Sequence, residues 1–205
     1  MKTTFEASLR DSLTVLDIDL PHPLWALIAW LEERGHRREG LGGLPYLDLF
    51  AAGAGEASWS HVCFEVPPDL VRFWFSKDGF EKQVIPFIHC GGDGSYVALW
   101  RHNGAPDRYV FLGSEGEAFT IAERVEDLIA ILTMGYTTIE GRDDLMASPE
   151  QNWADHNGDD WPEPLDIMAW VSEHFGLLYP ATGGALLPYS GEDDPFVSFV
   201  AQETG

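Results

Sequence analysis

Residues 84–136 constrain the fold of this chain more than any other stretch, because four strand-like runs there are separated by turns too short for crossovers. A run rich in β-branched and aromatic residues (84–90) ends at the Gly-Gly-Asp-Gly turn of residues 91–94. A second run (95–102) ends at Gly-Ala-Pro-Asp, and two further runs follow at 108–112 and 118–122. Connections of this length join antiparallel neighbours, since a parallel pair needs a crossover of a dozen residues or more. Within the second run, Tyr96, Ala98 and Trp100 alternate with Val97 and Leu99, so both faces are apolar and the strand belongs in the middle of a sheet. Val125, Leu128, Ile129 and Leu132 then form one helical stripe, with Gly135 as its stop and Thr120-x-x-Glu123 as a capping-box pattern at its start. The spacing predicts an antiparallel meander closed by an amphipathic helix.

Elsewhere the periodicity is less regular. Leu24, Leu27, Ile28 and Leu31 fall on one helical face, after Pro21 and Pro23 and before Gly35. The basic, glycine-rich residues 36–43 read as a loop, 46–50 as a short strand, 51–57 as a connector and 59–66 as a strand ended by Pro67 and Pro68. Residues 69–76 fit a strand or a short helix capped by Asp69. Residues 140–160 are polar and read as a loop. A helix is expected over 164–175, with Leu165, Met168, Val171 and Phe175 on one face and Gly176 beyond. A last helix is expected from Pro195, preceded by Glu192, Asp193 and Asp194, where carboxylates favour the positive helix end. The whole is read as one α+β domain over 1–205, a central mostly antiparallel sheet with flanking helices. It carries an N-terminal helical extension (about 1–43) and an acidic C-terminal extension (about 143–205).

Charge is distributed unevenly. Twelve Lys and Arg stand against 34 Asp and Glu, a net charge of −22. Every basic side chain lies at or before Arg142, so the first 142 residues carry 12 − 21 = −9 and the last 63 carry −13. Such a field repels nucleic acid and anionic membrane and speeds encounter with a basic protein. No apolar run reaches the length of a membrane span, and the polar, amphipathic first fifteen residues lack a signal-peptide core, so a cytoplasmic protein is expected. Two cysteines, Cys63 and Cys90, make no framework and no C-x-x-C pair, and are expected to be free core thiols.

Catalytic and metal patterns are weak. Leu112-Gly113-Ser114-Glu115-Gly116 misses the first glycine of a nucleophile elbow. Cys90 with His61 or His89 is a conceivable nucleophile–base pair, but His89 and Cys90 are adjacent and point to opposite faces of a strand. Asp155, Asn157 and Asp159 have the oxygen spacing of a calcium loop, yet glycine stands at 158 rather than 160 and the twelfth position is Asp166, so a solvated acidic turn is expected. The histidines at 22, 36, 61, 89, 102, 156 and 174 show no H-E-x-x-H and no zinc-type spacing with cysteine. The Gly-Gly-Asp-Gly-Ser turn lacks a P-loop lysine, and its residues fit a tight connection capped by Asp93. No cofactor and no metal is therefore expected, and no catalytic residue. A pocket gathering several of His61, His89 and His102 with a carboxylate would reopen an enzymatic reading.

The meander also resembles a known family. Ile85-Pro86-Phe87 before the turn, Gly91 to Gly94 within it, Tyr96 to Trp100, Val110 to Gly113 with Glu115 and Glu117, and the helix with Val125, Leu128 and Leu132 are similar to the SUKH superfamily. Leu44-Pro45-Tyr46, with Gly53 and Gly55 beyond, is similar to the Leu-Pro segment that leads into that fold, and residues 166–201 resemble a C-terminal extension of some bacterial members. The resemblance implies an α+β fold and a non-enzymatic binding role. Members include fungal regulators of glucan synthesis and bacterial immunity proteins, which bind and block a toxin domain, often a nuclease. A basic nuclease face is one that an acidic protein can occupy. The residues expected to face such a partner are Asp155, Asp159, Asp160, Asp193 and Asp194, with Trp153 and Trp161 beside them. A housekeeping scaffold or regulator of the same fold is the alternative.

Overall fold

The computed structural model describes residues 3–40, 43–50, 58–67, 71–75, 79–102, 105–158, 160–191 and 193–204. Its centre is a seven-stranded sheet in which every strand pairs antiparallel with its neighbour in sequence. The strands are β1 (Arg37–Glu39), β2 (Pro45–Asp48), β3 (Cys63–Glu65), β4 (Val84–His89), β5 (Tyr96–Trp100), β6 (Arg108–Leu112) and β7 (Ala118–Ala122). The helices are α1 (Phe5–Val15), α2 (His22–Glu33), α3 (Val125–Thr133), α4 (Arg142–Met146), α5 (Pro149–Asn157), α6 (Leu165–Phe175) and α7 (Pro195–Thr204). This is an α+β fold. Among the described residues, no helix is long and apolar enough to cross a membrane.

The two sheet faces differ. One is covered from end to end: Leu47, Phe64, Ile88, Val97, Leu99, Phe111, Phe119 and Ile121 pack with the apolar sides of α1, α2, α3 and α6 into one core. Among the described residues, the other is covered only over its second half. There Ala98, Trp100, Val110 and Leu112 meet Phe196 and Phe199 of α7 and Phe75 and Phe80 from the segment before β4. All five residues of β5 are buried, as its two apolar faces require.

Proline inside β4 explains a break in alternation. Pro86 cannot donate to a ladder, and in central strands proline is confined to bulges. Here Pro86 pairs Ala98 but Ile88 pairs Val97, so Phe87 is an extra residue. The pairing of β3 reaches only Ile88 and His89, so the missing Pro86 N–H falls beyond its end. The bulge inverts the phase of the strand. Ile85, Phe87 and Ile88 all join the helix-covered core, and His89 is turned to the opposite face.

Several expectations need correction. Residues 37–39, read as loop, form edge strand β1, whose Arg-Arg-Glu sequence suits an edge that must not recruit another chain. Residues 140–160, read as loop, hold α4 and α5. Ser148 accepts from the Gln151 N–H at 3.1 Å and Pro149 occupies the first turn, a start signal that their polarity obscured. Thr120 and Glu123 do not cap α3. Thr120 sits in β7, and Glu123 bonds Arg108 and the Tyr189 hydroxyl. On α6 the buried positions are Ile167 and Val171, and Leu165 is 61% exposed. Residues 51–57, Pro68, Asp69 and Ser76 lie outside the described residues.

Candidate functional site

Polar side chains converge on the first half of the second sheet face, over which no helix of the described residues packs. Register alone puts four of them in one row: Asp48 pairs Cys63, Cys63 pairs His89, and His89 pairs Tyr96. Glu65, two residues along β3, shares the face with Cys63, and Tyr46 and Arg38 continue it across β2 and β1. All of these but Tyr96, with Ser58, Ser60 and His61 from the segment before β3, line a groove of about 570 Å³. Among the described residues no helix packs over this row, whereas its continuation, Leu112 and Ala118, runs beneath α7; within the row Asp48, Cys63 and Tyr96 are buried and His89 is half-buried.

The groups in this row are oriented by one another. The Tyr96 hydroxyl donates to Glu65 Oε2 at 2.8 Å. Burial, and the Glu65 carboxylate beside it, push the Tyr96 phenol up, so it stays a donor throughout the physiological range. His89 Nδ1 lies 3.2 Å from the His61 carbonyl oxygen. That oxygen only accepts, so Nδ1 carries a proton, and in the neutral ring the lone pair is on Nε2. Arg38 Nε approaches Asp48 Oδ2 at 3.4 Å, while burial raises the Asp48 carboxyl to about 6 against that attraction. Burial also pushes the Cys63 thiol well up, and the Glu65 and Asp48 carboxylates add to it. Cys63 is therefore a protonated thiol at neutral pH and not an activated nucleophile. Cys90, fully buried in the helix-covered core, is inert for the same reason of burial, and both cysteines are free, as expected.

Cys63 Sγ, a Glu65 carboxylate oxygen and a His89 ring nitrogen lie within 4.8 Å of one another. This is a donor set that sequence spacing did not reveal. Cys63 and His89 are 26 positions apart, and the Phe87 bulge decides which face His89 takes. Of the histidines named as a possible pocket, His61 and His89 share the groove. His102 is elsewhere, with its ring 5.1 Å from that of Trp100.

The expected partner-facing residues have different fates. Asp155 is exposed at the end of α5, where its carboxylate accepts from Gln151 Nε2 at 2.7 Å. Asp160 and Asp193 are exposed, and Asp159 lies outside the described residues. Asp194 is a correction, being 0% exposed. Its carboxylate accepts from Thr120 N at 2.6 Å, Thr120 Oγ1 at 2.7 Å and Phe196 N at 2.8 Å, joining edge strand β7 to the start of α7. Trp153 packs edge-on against Trp59 at 5.5 Å, and Trp161 donates to the Gly135 carbonyl at 3.2 Å, so both are half-buried anchors of the C-terminal layer. The calcium-loop spacing is not a loop in space. Asp155 and Asn157 belong to α5, and Asn157 donates to Thr137 Oγ1 at 3.0 Å.

That C-terminal layer presents a second concavity. Met134, Trp161, Met168, Tyr179 and Pro180 line a shallow groove of about 270 Å³ flanked by Glu150 and Glu163. Asp143, Asp166 and Glu173 are also exposed in this part of the chain, and nearby Leu178 is 88% exposed. No family model, no curated protein and no solved structure matches this chain.

Proposed function

We propose that this chain is a non-enzymatic protein-binding module that neutralises a basic partner, of the kind its resemblance to immunity proteins implies: a toxin domain, most simply a nuclease, whose active surface it occludes in the cytoplasm. The observation that carries this reading is the exterior of residues 143–205. Glu150, Asp155, Asp160, Glu163, Asp166 and Glu173 are all exposed, no Lys or Arg occurs in the segment, and the groove between Glu150 and Glu163 is lined mainly by apolar and aromatic side chains. An anionic rim around an apolar floor combines steering with an anchor point. The rim raises the encounter rate, and the floor holds a side chain of the partner.

The experiment is kinetic. The purified chain is mixed with each basic toxin domain that a neighbouring gene is found to encode, and association is followed from about 20 to 300 mM salt. The expected result is inhibition of the toxin, with an association rate that falls as the Debye length shortens. Glu150→Lys with Glu163→Lys should lower that rate further. Association indifferent to both salt and charge reversal would defeat the electrostatic mechanism. A housekeeping scaffold of the same fold is the alternative, and it is favoured where no toxin gene lies nearby. A second reading, in which the chain works with a small ligand, is favoured by the sheet groove that gathers His61, His89, Asp48 and Glu65.

A further inference from the structure

We propose that Cys63, Glu65 and His89 form a binding site for a first-row divalent transition metal of zinc type, with a coordination position open to the sheet groove. The proposal is independent of the acidic exterior and of the partner it is read to bind.

The first argument is the donor set. One thiol, one imidazole and one carboxylate have ligand atoms within 4.8 Å of one another; Cys63 and His89 are register partners on two paired strands, and Glu65 lies two residues along β3 on the same face. In a tetrahedral zinc site the bond lengths of about 2.3 Å to sulfur and 2.0–2.1 Å to nitrogen and oxygen place ligand atoms roughly 3.3–3.6 Å apart. Side-chain torsion changes that move the ligand atoms by about an ångström bring these three to that spacing. Strands β3 and β4 hold their Cα atoms fixed, so a preformed site needs little reorganisation. The mixture of sulfur, nitrogen and oxygen suits zinc or cobalt and does not suit magnesium or calcium, which take all-oxygen shells.

The second argument is the support around the donors. The His61 carbonyl fixes the proton of His89 on Nδ1, which leaves Nε2 as the ligand atom. Tyr96 holds Glu65 Oε2 through a 2.8 Å hydrogen bond, and among the described residues no hydrogen bond engages Oε1. These are the roles that outer-shell carbonyls and hydroxyls play around metal-bound imidazole and carboxylate. The third argument is the bulge at Phe87. Regular alternation from Ile85 would bury His89 beneath the helices, and the extra residue instead aims it at Cys63. Bulges that re-aim one side chain are concentrated at functional sites.

Three protein ligands leave one tetrahedral position, as in zinc sites that keep a water or bind a further ligand. Tyr46, Asp48, Ser60 and His61 line the same groove, so that ligand would be a water or a small donor molecule. On binding, Cys63 gives its thiol proton to solvent and the thiolate sulfur becomes the ligand.

The test uses the full chain, reduced, stripped with chelator and titrated with Co²⁺, then displaced with Zn²⁺. The expected result is one ion per chain, a thiolate-to-cobalt charge-transfer band and the visible spectrum of a four-coordinate ion. Cys63→Ser should abolish the charge-transfer band. Tyr96→Phe should weaken affinity by about 10–100-fold, the usual loss on removing an outer-shell partner, and His89→Ala or Glu65→Gln by at least as much. Cys90→Ala should leave the spectrum unchanged. The half-buried His89 is a safe site to vary if Cys63→Ser does not fold. Weak, octahedral binding without a charge-transfer band would report the exterior carboxylates alone and overturn the proposal. So would a band that survives both Cys63→Ser and His89→Ala.

Discussion

Asp194 and Asp193 are consecutive carboxylates whose surroundings are opposite. Asp194 accepts two backbone N–H groups and one hydroxyl in a fully buried position, whereas Asp193 is exposed. Removing Asp194 leaves the Thr120 and Phe196 amides without acceptors, and an unsatisfied buried donor costs about 1–3 kcal/mol. Asp194→Ala should therefore lower the urea-unfolding free energy by about 2–5 kcal/mol, and Asp193→Ala by less than about 0.5 kcal/mol. Equal, small effects would show that Asp194 is not the tie between β7 and α7. Asp93 gives a pH-dependent counterpart. Burial alone would raise its carboxyl, but hydrogen bonds from Ser114 Oγ and from the Ser95 hydroxyl and N–H outweigh that and hold it below its ordinary value. A carboxylate depressed in the folded state contributes stability that is complete above its unfolded value near 3.9 and is lost as pH falls through the folded one. Ser114→Ala removes one of these donors. A carbon-detected NMR titration should then show the Asp93 carboxyl titrating at higher pH, with acid unfolding beginning earlier. An unchanged titration would mean that Ser114 does not hold the carboxylate.

Gly135 shows how an element boundary is fixed twice over. It ends α3 with φ of 100°, a conformation that L side chains rarely adopt. A Cβ there would also stand 2.8 Å from Pro164 Cδ and 3.1 Å from Trp161, in the segment that leads into α6. Gly135→Ala should cost about 2–4 kcal/mol, the sum of backbone strain and overpacking. At about 2–4 °C per kcal/mol for a chain of this size, the melting temperature should fall by roughly 5–15 °C. A loss of under about 1 °C would mean that neither constraint acts. The boundary itself was legible, since glycine after an apolar stripe is a local signal. So were β4 to β7, α2, α6 and α7, each marked by periodicity together with a nearby turn or cap. What was not legible depends on pairing. Strand β1 is polar on its own and becomes a strand only because β2 offers a ladder. Helices α4 and α5 are held by buried Asn152, which bonds the Thr137 N–H and the Asp144 carboxylate, residues 8 to 15 positions away. The Cys63–Glu65–His89 cluster needs both the β3–β4 register and the phase inversion at Phe87. Pro86 inside an otherwise continuous strand was the one local hint of that inversion.

At the scale of the whole molecule the net charge of −22 acts on folding and on association with opposite sign. A folded chain of 205 residues has a radius of gyration of about 17 Å, against roughly 50 Å when unfolded. Folding therefore concentrates the charge, and the energy of doing so depends on the screening length. At 10 mM salt that length is about 30 Å, longer than the folded radius, so carboxylates repel across the whole structure. At 150 mM it is about 8 Å, and only neighbours interact. Added salt should accordingly stabilise the fold, because it removes self-repulsion that weighs more on the compact state. The same screening should slow capture of a basic partner. The melting temperature should thus rise between 10 and about 150 mM sodium chloride while the association rate falls, and the two can be measured on one preparation. If both decline together, salt is loosening the structure, and the lost binding reports unfolding. If the melting temperature climbs as the rate drops, the anionic exterior is a functional surface maintained against a cost in stability.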